Sequence, residues 1–195
     1  MVGGKDYFGD TADSKVNLAV GGGRPTGSSF KGITLATALK NGIEANDSFP
    51  SPGQACFSGW CPSGGGGLGG SARLEDCAAF SSNTCFAYLA AKVLGPQKIR
   101  ETAYDLGISR DKLKERDGSV NATITLGTYN TTVLEMASAF STFANRGIRV
   151  DPVLVTRITK ADGSVVFQHQ HRQRKVLEPE IAFEESRILT GVITK

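Results

Sequence analysis

Residues 21–43 read GGGRPTGSSFKGITLATALKNGI, a turn-rich run that passes directly into a helix-like one. Phe30, Ile33, Leu35, Ala36 and Leu39 give the stretch from Ser28 to Lys40 an apolar side, and Gly42 follows as a terminator. At the join, Ser28 and Lys31 stand three residues apart. On a helix they share a face, so the lysine amine can reach the serine hydroxyl. Two readings fit this spacing. Ser28 is an N-cap followed by a surface lysine, or it is a nucleophile whose base lies one turn away. The second reading makes a demand on Lys31. Moving a lysine pKa from about 10.4 to near 7 costs roughly 4–5 kcal/mol and requires burial or positive neighbours, so an exposed Lys31 could not serve.

The spacing alone is not specific, because S-x-x-K occurs at Ser28/Lys31 and at Ser109/Lys112, and S-x-N at Ser81/Asn83 and at Ser119/Asn121. Context separates the copies. Ser28 follows Gly27, which permits a sharp turn, and it opens an apolar helix, where free amide N–H groups and the positive dipole end converge. Ser109 lies in the charged segment SRDKLKERDGSVN (109–121), read as a solvated connection that keeps Lys112 protonated. Ser81 and Asn83 interrupt two helical segments in LEDCAAFSSNTCFAYLAAKVLG (74–95), where short polar side chains can point into a cleft. There a hydroxyl can relay a proton, and an amide can hold both Lys31 and a substrate peptide bond. A capped helix–helix turn fits the same letters.

Further out, the pattern predicts a helix over Gln97 to Leu106 closed by Gly107. A capping box at Thr132 and Glu135 opens a helix through VLEMASAFSTFAN (133–145), and Gly147 ends it. A hairpin turns about Asp162-Gly163, and a last helix covers Glu180 to Ile193. Residues 46–72 are a loop by composition.

The 195 residues suffice for one domain with a core, or for a large piece of a bigger one. A net charge of +3, from 22 basic and 19 acidic residues, points to neither a nucleic-acid partner nor a membrane surface. No run approaches the roughly 20 apolar residues of a membrane span, and no secretory signal opens the chain, which reads as soluble. GRPTGSSFK lacks the order of a phosphate loop, so nucleotide binding is not expected. His169 and His171 have no acidic or cysteine partner at ligand spacing, so no metal is expected there. Cys56, Cys61, Cys77 and Cys85 permit disulfides outside the cytosol or zinc inside it. Their spacings lack the short pairs of structural zinc sites, and a Cys56–Cys61 bridge across the Gly-rich segment is the expected pairing. It implies an oxidising compartment.

Five stretches together resemble, in order, the transpeptidase domain of class A penicillin-binding proteins: MVGGKDYF (1–8), residues 21–43, SSNTCFAYLAAKVLG (81–95), TTVLEMASAFSTFANRGIRVDPVLVTRI (131–158) and RILTGVITK (187–195). The resemblance implies an α/β fold of the penicillin-recognising serine transpeptidase/β-lactamase type, an antiparallel sheet with helices, incomplete at the C-terminus. Residues 1–195 would be a partial transpeptidase domain. Carried over, Ser28 is the acylated nucleophile, Lys31 its base, Ser81 a proton relay and Asn83 a contact to substrate and to Lys31. The implied reaction is attack on the D-Ala-D-Ala bond of a peptidoglycan stem peptide, giving an acyl-enzyme that an amine of a neighbouring stem peptide resolves into a cross-link. β-Lactams would acylate Ser28 instead, and no metal or organic cofactor is implied.

The sequence departs from the family in several places. It has no K-T-G; the LTG of residues 189–191 lies in the last helix and lacks the lysine. In the family that motif follows on a strand supplying one of two oxyanion N–H groups, the other being that of Ser28. Losing one such donor typically costs about 10²–10³ in rate. Marginal stability and little or no turnover are therefore expected of this chain alone. Gly32 stands where proline is common, and Cys56 to Gly70 match the family poorly. MVGG resembles the end of an internal strand, so Met1 is not expected to be a natural initiator. The parent would carry an upstream glycosyltransferase domain and a membrane anchor, at the extracytoplasmic face of the bacterial cell membrane. Two other readings stand beside this one: a non-catalytic peptidoglycan-binding or scaffolding relative, and a hydrolase of the D,D-carboxypeptidase or β-lactamase type.

Overall fold

In the computed structural model, residues 6–10, 15–62, 68–170 and 172–195 are described. The MVGG stretch, part of the Gly-rich loop and His171 lie outside them.

The centre of the molecule is helix α1 (Lys31–Lys40), in which every residue from Lys31 to Leu39 is buried. A helix apolar or small on all sides belongs in the interior rather than at a surface, and ITLATAL meets that condition. Its threonines are satisfied: Thr37 Oγ1 donates to the Ile33 carbonyl at 2.7 Å, and Thr125 Oγ1 donates to Thr34 Oγ1 at 3.0 Å. The helix ends in a Schellman pair. Gly42, at φ +81°, donates to Leu39, and Ile43 donates to Ala38.

Around α1 lie α2 (Leu74–Ala79), α3 (Asn83–Tyr88), α4 (Pro96–Asp105), α5 (Val133–Ala144) and α6 (Pro179–Thr194). Phe30, Ile33, Leu35, Leu74, Phe86, Leu89, Ile99 and Ile188 form one core between them. Burying each large side chain is worth roughly 1.5–3 kcal/mol. The sequence read 84–94 as one regular helix. The structure instead widens it to a π-turn over Leu89–Leu94, which turns Leu89, Ala90 and Leu94 inward together. Gly95 then breaks the chain and Pro96 opens α4. At α5 the capping box is formed in both directions, with Thr132 and Glu135 each bonding the other's backbone N–H.

The described strands form four two-stranded antiparallel ladders. β1 (Arg24–Pro25) pairs with β4 (Asn130–Thr131), and β2 (Ser48–Ser51) with β3 (Gly70–Arg73). β5 (Ile148–Val150) pairs with β8 (Gln173–Lys175), and β6 (Arg157–Thr159) with β7 (Val165–Gln168). The β6–β7 hairpin turns where Asp162-Gly163 placed it. Asp162 Oδ1 accepts from the Ser164 N–H at 2.8 Å, and Ile158 faces Phe167. The segment 109–121 is not wholly solvated, contrary to its reading as a surface connection. Leu113 and Val120 are buried, and Lys112 Nζ meets Glu135 Oε2 at 2.7 Å. The charged letters masked two core residues.

Candidate active site

Ser28 does not sit on the first turn of α1. It lies on a single 3₁₀ turn, Gly27–Phe30, that feeds into the helix, and Phe30 occupies the N-cap position. This departs from the sequence reading and removes the capping role at the same time. A 3₁₀ turn has three residues per turn, so side chains at i and i+3 eclipse. Lys31 is therefore directly over Ser28, and its Nζ donates to Ser28 Oγ at 3.1 Å. The turn is braced by Gly127, whose carbonyl accepts from Gly27 N–H at 3.3 Å. A β-carbon on Gly127 would lie 2.3 Å from the Gly27 oxygen, and its φ of +67° is one that glycine adopts freely. The sequence reading passed over this brace.

The turn between α2 and α3 delivers the other two residues. Ser81 takes a left-handed conformation at φ +52°, uncommon for a residue with a β-carbon and costing about 1–3 kcal/mol. In that conformation it offers two oxygens to Lys31 Nζ, its carbonyl at 2.6 Å and its Oγ at 2.9 Å. Asn83 Oδ1, at the first position of α3, accepts from the same amine at 2.6 Å. Ser28, Lys31, Ser81 and Asn83 thus converge on one nitrogen.

That nitrogen is buried. Lys31 is 5 % exposed, and the Phe86 ring lies 5.8 Å from Nζ. Removing the ammonium from water disfavours its charge, and burial pulls the Lys31 pKa down to about 8. About a tenth of the molecules then carry a neutral amine at pH 7. A neutral amine has two N–H donors and one lone pair. The carbonyl oxygens of Ser81 and Asn83 can only accept, so they take the two donors and leave the lone pair for a hydroxyl proton. The group opens on a cavity of about 280 Å³ lined by Ser28, Lys31, Ser81, Phe86, Phe140 and Leu189. A wider cavity of about 420 Å³ holds Glu44, Glu180, Glu184 and Arg187 but no nucleophile. Size alone does not pick the site.

The competing motif copies are accounted for elsewhere. Lys112 Nζ is taken up in an ion pair with Glu135 Oε2 at 2.7 Å, and Asn121 Nδ2 donates to Glu115 Oε1 at 3.0 Å on an exposed surface. Cys56 is bridged to Cys61, and Cys77 to Cys85. The second pair was not singled out from the sequence, although its eight-residue spacing brackets the FSSN interruption. Among the described residues no cluster of three or more His, Cys, Asp or Glu is placed to hold a metal. No described helix is long and apolar enough to cross a membrane.

Two features beside the site were invisible in the letters. A β-carbon on Gly32 would lie 2.9 Å from Phe140 Cζ, so the aromatic edge occupies the space that a larger residue would need. Glu185 of α6 is fully buried, its Oε1 3.6 Å from that same position, and neither carboxylate oxygen has a hydrogen-bond partner. Burial holds its carboxyl well above the usual carboxylate range.

The chain as a whole is similar to known proteins. Penicillin-binding protein 1A of Mycolicibacterium smegmatis is 32% identical over 173 residues, 84% of this chain and 22% of that protein. Penicillin-binding protein 1A of Pseudomonas aeruginosa is 30% identical over 174 residues, 86% of this chain and 20% of that one. The chain thus spans about a fifth of the length of these relatives. Among solved structures, the penicillin-binding protein PonA1 of Mycobacterium tuberculosis superposes with a TM-score of 0.82 at 29% identity, over 92% of this chain and 50% of that one. PonA1 in complex with penicillin V superposes at 0.77 and 30% identity, over 86% of this chain and 46% of that one. The likeness is not confined to the motifs, because the model of the penicillin binding protein transpeptidase domain matches residues 1–195; the chain belongs to that family.

Proposed function

We propose that this chain carries the acyl-transfer site of a peptidoglycan D,D-transpeptidase, with Ser28 as the nucleophile and Lys31 as its base. The observation that carries the reading is the single buried amine shared by Ser28, Ser81 and Asn83. The neutral Lys31 amine takes the Ser28 hydroxyl proton as Oγ bonds to the carbonyl carbon of a D-Ala-D-Ala peptide bond. The tetrahedral adduct collapses, the C–N bond breaks, and the Ser81 hydroxyl passes its proton to the departing D-Ala amine while Lys31 Nζ, 2.9 Å away, gives Ser81 the proton it took from Ser28. An ester on Ser28 remains. A second stem peptide's amine attacks that ester, forming the cross-link and returning a proton to Ser28. Asn83 holds Lys31 and the stem-peptide amide in register. A β-lactam ring presents the same carbonyl with its leaving nitrogen tethered, so it stops at the ester. The parent protein works at the extracytoplasmic face of the bacterial cell membrane, and the two disulfides suit that oxidising side.

Incubation with a fluorescent penicillin followed by intact-mass measurement tests this. A single, slow covalent addition is expected, and none with Ser28→Ala. Labelling that persists in Ser28→Ala removes Ser28 from its role. Stem-peptide binding without any acylation marks a non-catalytic relative, and rapid return of unlabelled protein marks a hydrolase.

A further inference from the structure

We propose that the Cys77–Cys85 disulfide is the positioning device of this site: it closes the turn that carries Ser81 and Asn83 and fixes the Ser81 backbone so that its carbonyl and hydroxyl oxygens both reach Lys31. The proposal rests on the function proposed above and adds two residues to its machinery. Cys77 lies in the last turn of α2 and Cys85 in the first turn of α3, and both are fully buried. Every residue between them belongs to the helix end, the turn or the helix start. Three of the four oxygens around Lys31 Nζ, namely Ser81 O, Ser81 Oγ and Asn83 Oδ1, sit inside the loop this bridge closes. Cys85 also precedes Phe86, whose ring covers the amine.

A left-handed serine persists only where its surroundings over-determine it. Here the Ser82 N–H donates to the Cys77 carbonyl at 2.9 Å, and Ser82 Oγ accepts from the Cys85 N–H at 3.3 Å. Ser82 Oγ is in turn tied to Ser51 Oγ at 2.7 Å. Both bonds run to the backbone of the cysteines themselves. The bridge thus joins the two anchor points at which the turn is otherwise held by single hydrogen bonds. Without it, α2 and α3 can separate at the turn, and water reaches the amine.

The test compares the unmodified chain with Cys77→Ala/Cys85→Ala and, as a control for the loss of a bridge, Cys56→Ala/Cys61→Ala. Two quantities are read. The first is the acylation rate with fluorescent penicillin. The second is the Lys31 titration midpoint, followed by the pH dependence of its acetylation with mass analysis. Displacement of reacting groups by about 1 Å costs on the order of 10²-fold in rate. The expected result is a ten- to hundredfold fall for Cys77→Ala/Cys85→Ala, with the Lys31 midpoint moving up from about 8 towards that of an ordinary lysine. The control leaves both unchanged.

An unchanged rate in a variant folded by circular dichroism overturns the proposal. A slower rate with an unmoved midpoint overturns it too, since it assigns the bridge a general stabilising part. Should the double variant not fold, the same two measurements are made on the unmodified chain treated with a water-soluble phosphine, with thiols counted by mass. If the unmodified chain is not acylated at all, the proposed function fails, and the Lys31 midpoint alone still decides this proposal.

Discussion

Replacing Asn83 with aspartate changes one atom type and adds a charge 2.6 Å from the Lys31 amine. The substitution is nearly isosteric, so the turn and its hydrogen bond to Nζ are preserved. An opposite charge within about 4–6 Å favours the protonated lysine and shifts its pKa by about 1–3 units. The starting point is about 8, set by burial. At pH 7 the neutral fraction of Lys31 therefore falls from about a tenth to between about a hundredth and a ten-thousandth. If the neutral amine takes the Ser28 proton, acylation at pH 7 slows about ten- to a thousandfold in Asn83→Asp. The sign of the pH dependence separates this from general damage. In the unmodified chain the rate climbs about tenfold per pH unit below 8 and levels off above it. In Asn83→Asp the same climb continues to about pH 9–11, so the two rates converge at high pH. Quenched labelling with a fluorescent penicillin from pH 6 to 10.5 gives both profiles. A slow Asn83→Asp whose midpoint stays near 8, or an unmodified profile flat across this range, refutes the assignment of Lys31 as base.

Glu185→Met should raise stability at pH 7 by about 1–3 kcal/mol, because it removes a buried carboxyl whose two oxygens have no partner. At about 2–4 °C per kcal/mol for a chain of this size, scanning calorimetry should show a gain of several degrees in Tm. The folded pKa of Glu185 is raised, so the penalty is absent below the unfolded value near 4.5 and grows as pH rises through the folded one. The gain must shrink by pH 4, and an equal gain at both pH values would rule out ionisation as its source. Gly127→Ala should lower Tm and slow acylation about 10²-fold, since the added carbon would lie 2.3 Å from the Gly27 oxygen and push the turn that holds Ser28. Loss of Tm with an unaltered acylation rate would show that the brace supports the fold but not the nucleophile.

Local chemistry was legible where its signal fits within one turn of chain. The Thr132–Glu135 box, the Gly42 terminator and the Asp162-Gly163 hairpin each depend on neighbours a few residues away, and each formed where the letters put it. What failed was what depends on distant partners. Glu185 reads as one more polar residue of the last helix, and the packing of α6 against α1, α2 and α5 leaves its carboxyl dry. Leu113 lies among charged letters, and its burial comes from the packing around that segment.

The Ser28–Lys31 pair shows both halves of this rule. Its spacing is local, yet spacing could not tell a capping serine from a nucleophile, because the deciding quantity is the water around one amine. The chemical demand on Lys31 follows from lysine's ordinary basicity: to act as a base near neutral pH it needs burial or positive neighbours, and here burial supplies the shift. The chain meets that demand through residues some fifty positions away, with Phe86 covering the amine and Ser81 and Asn83 replacing its hydration by three oxygens. Those residues cannot approach Lys31 from a regular helix, because a continuous helix would carry Ser81 and Asn83 on different faces. The break at FSSN is therefore not a flaw in a helical pattern. It is the condition for placing two side chains and a backbone carbonyl on one nitrogen, and the left-handed Ser81 is where the backbone meets that condition.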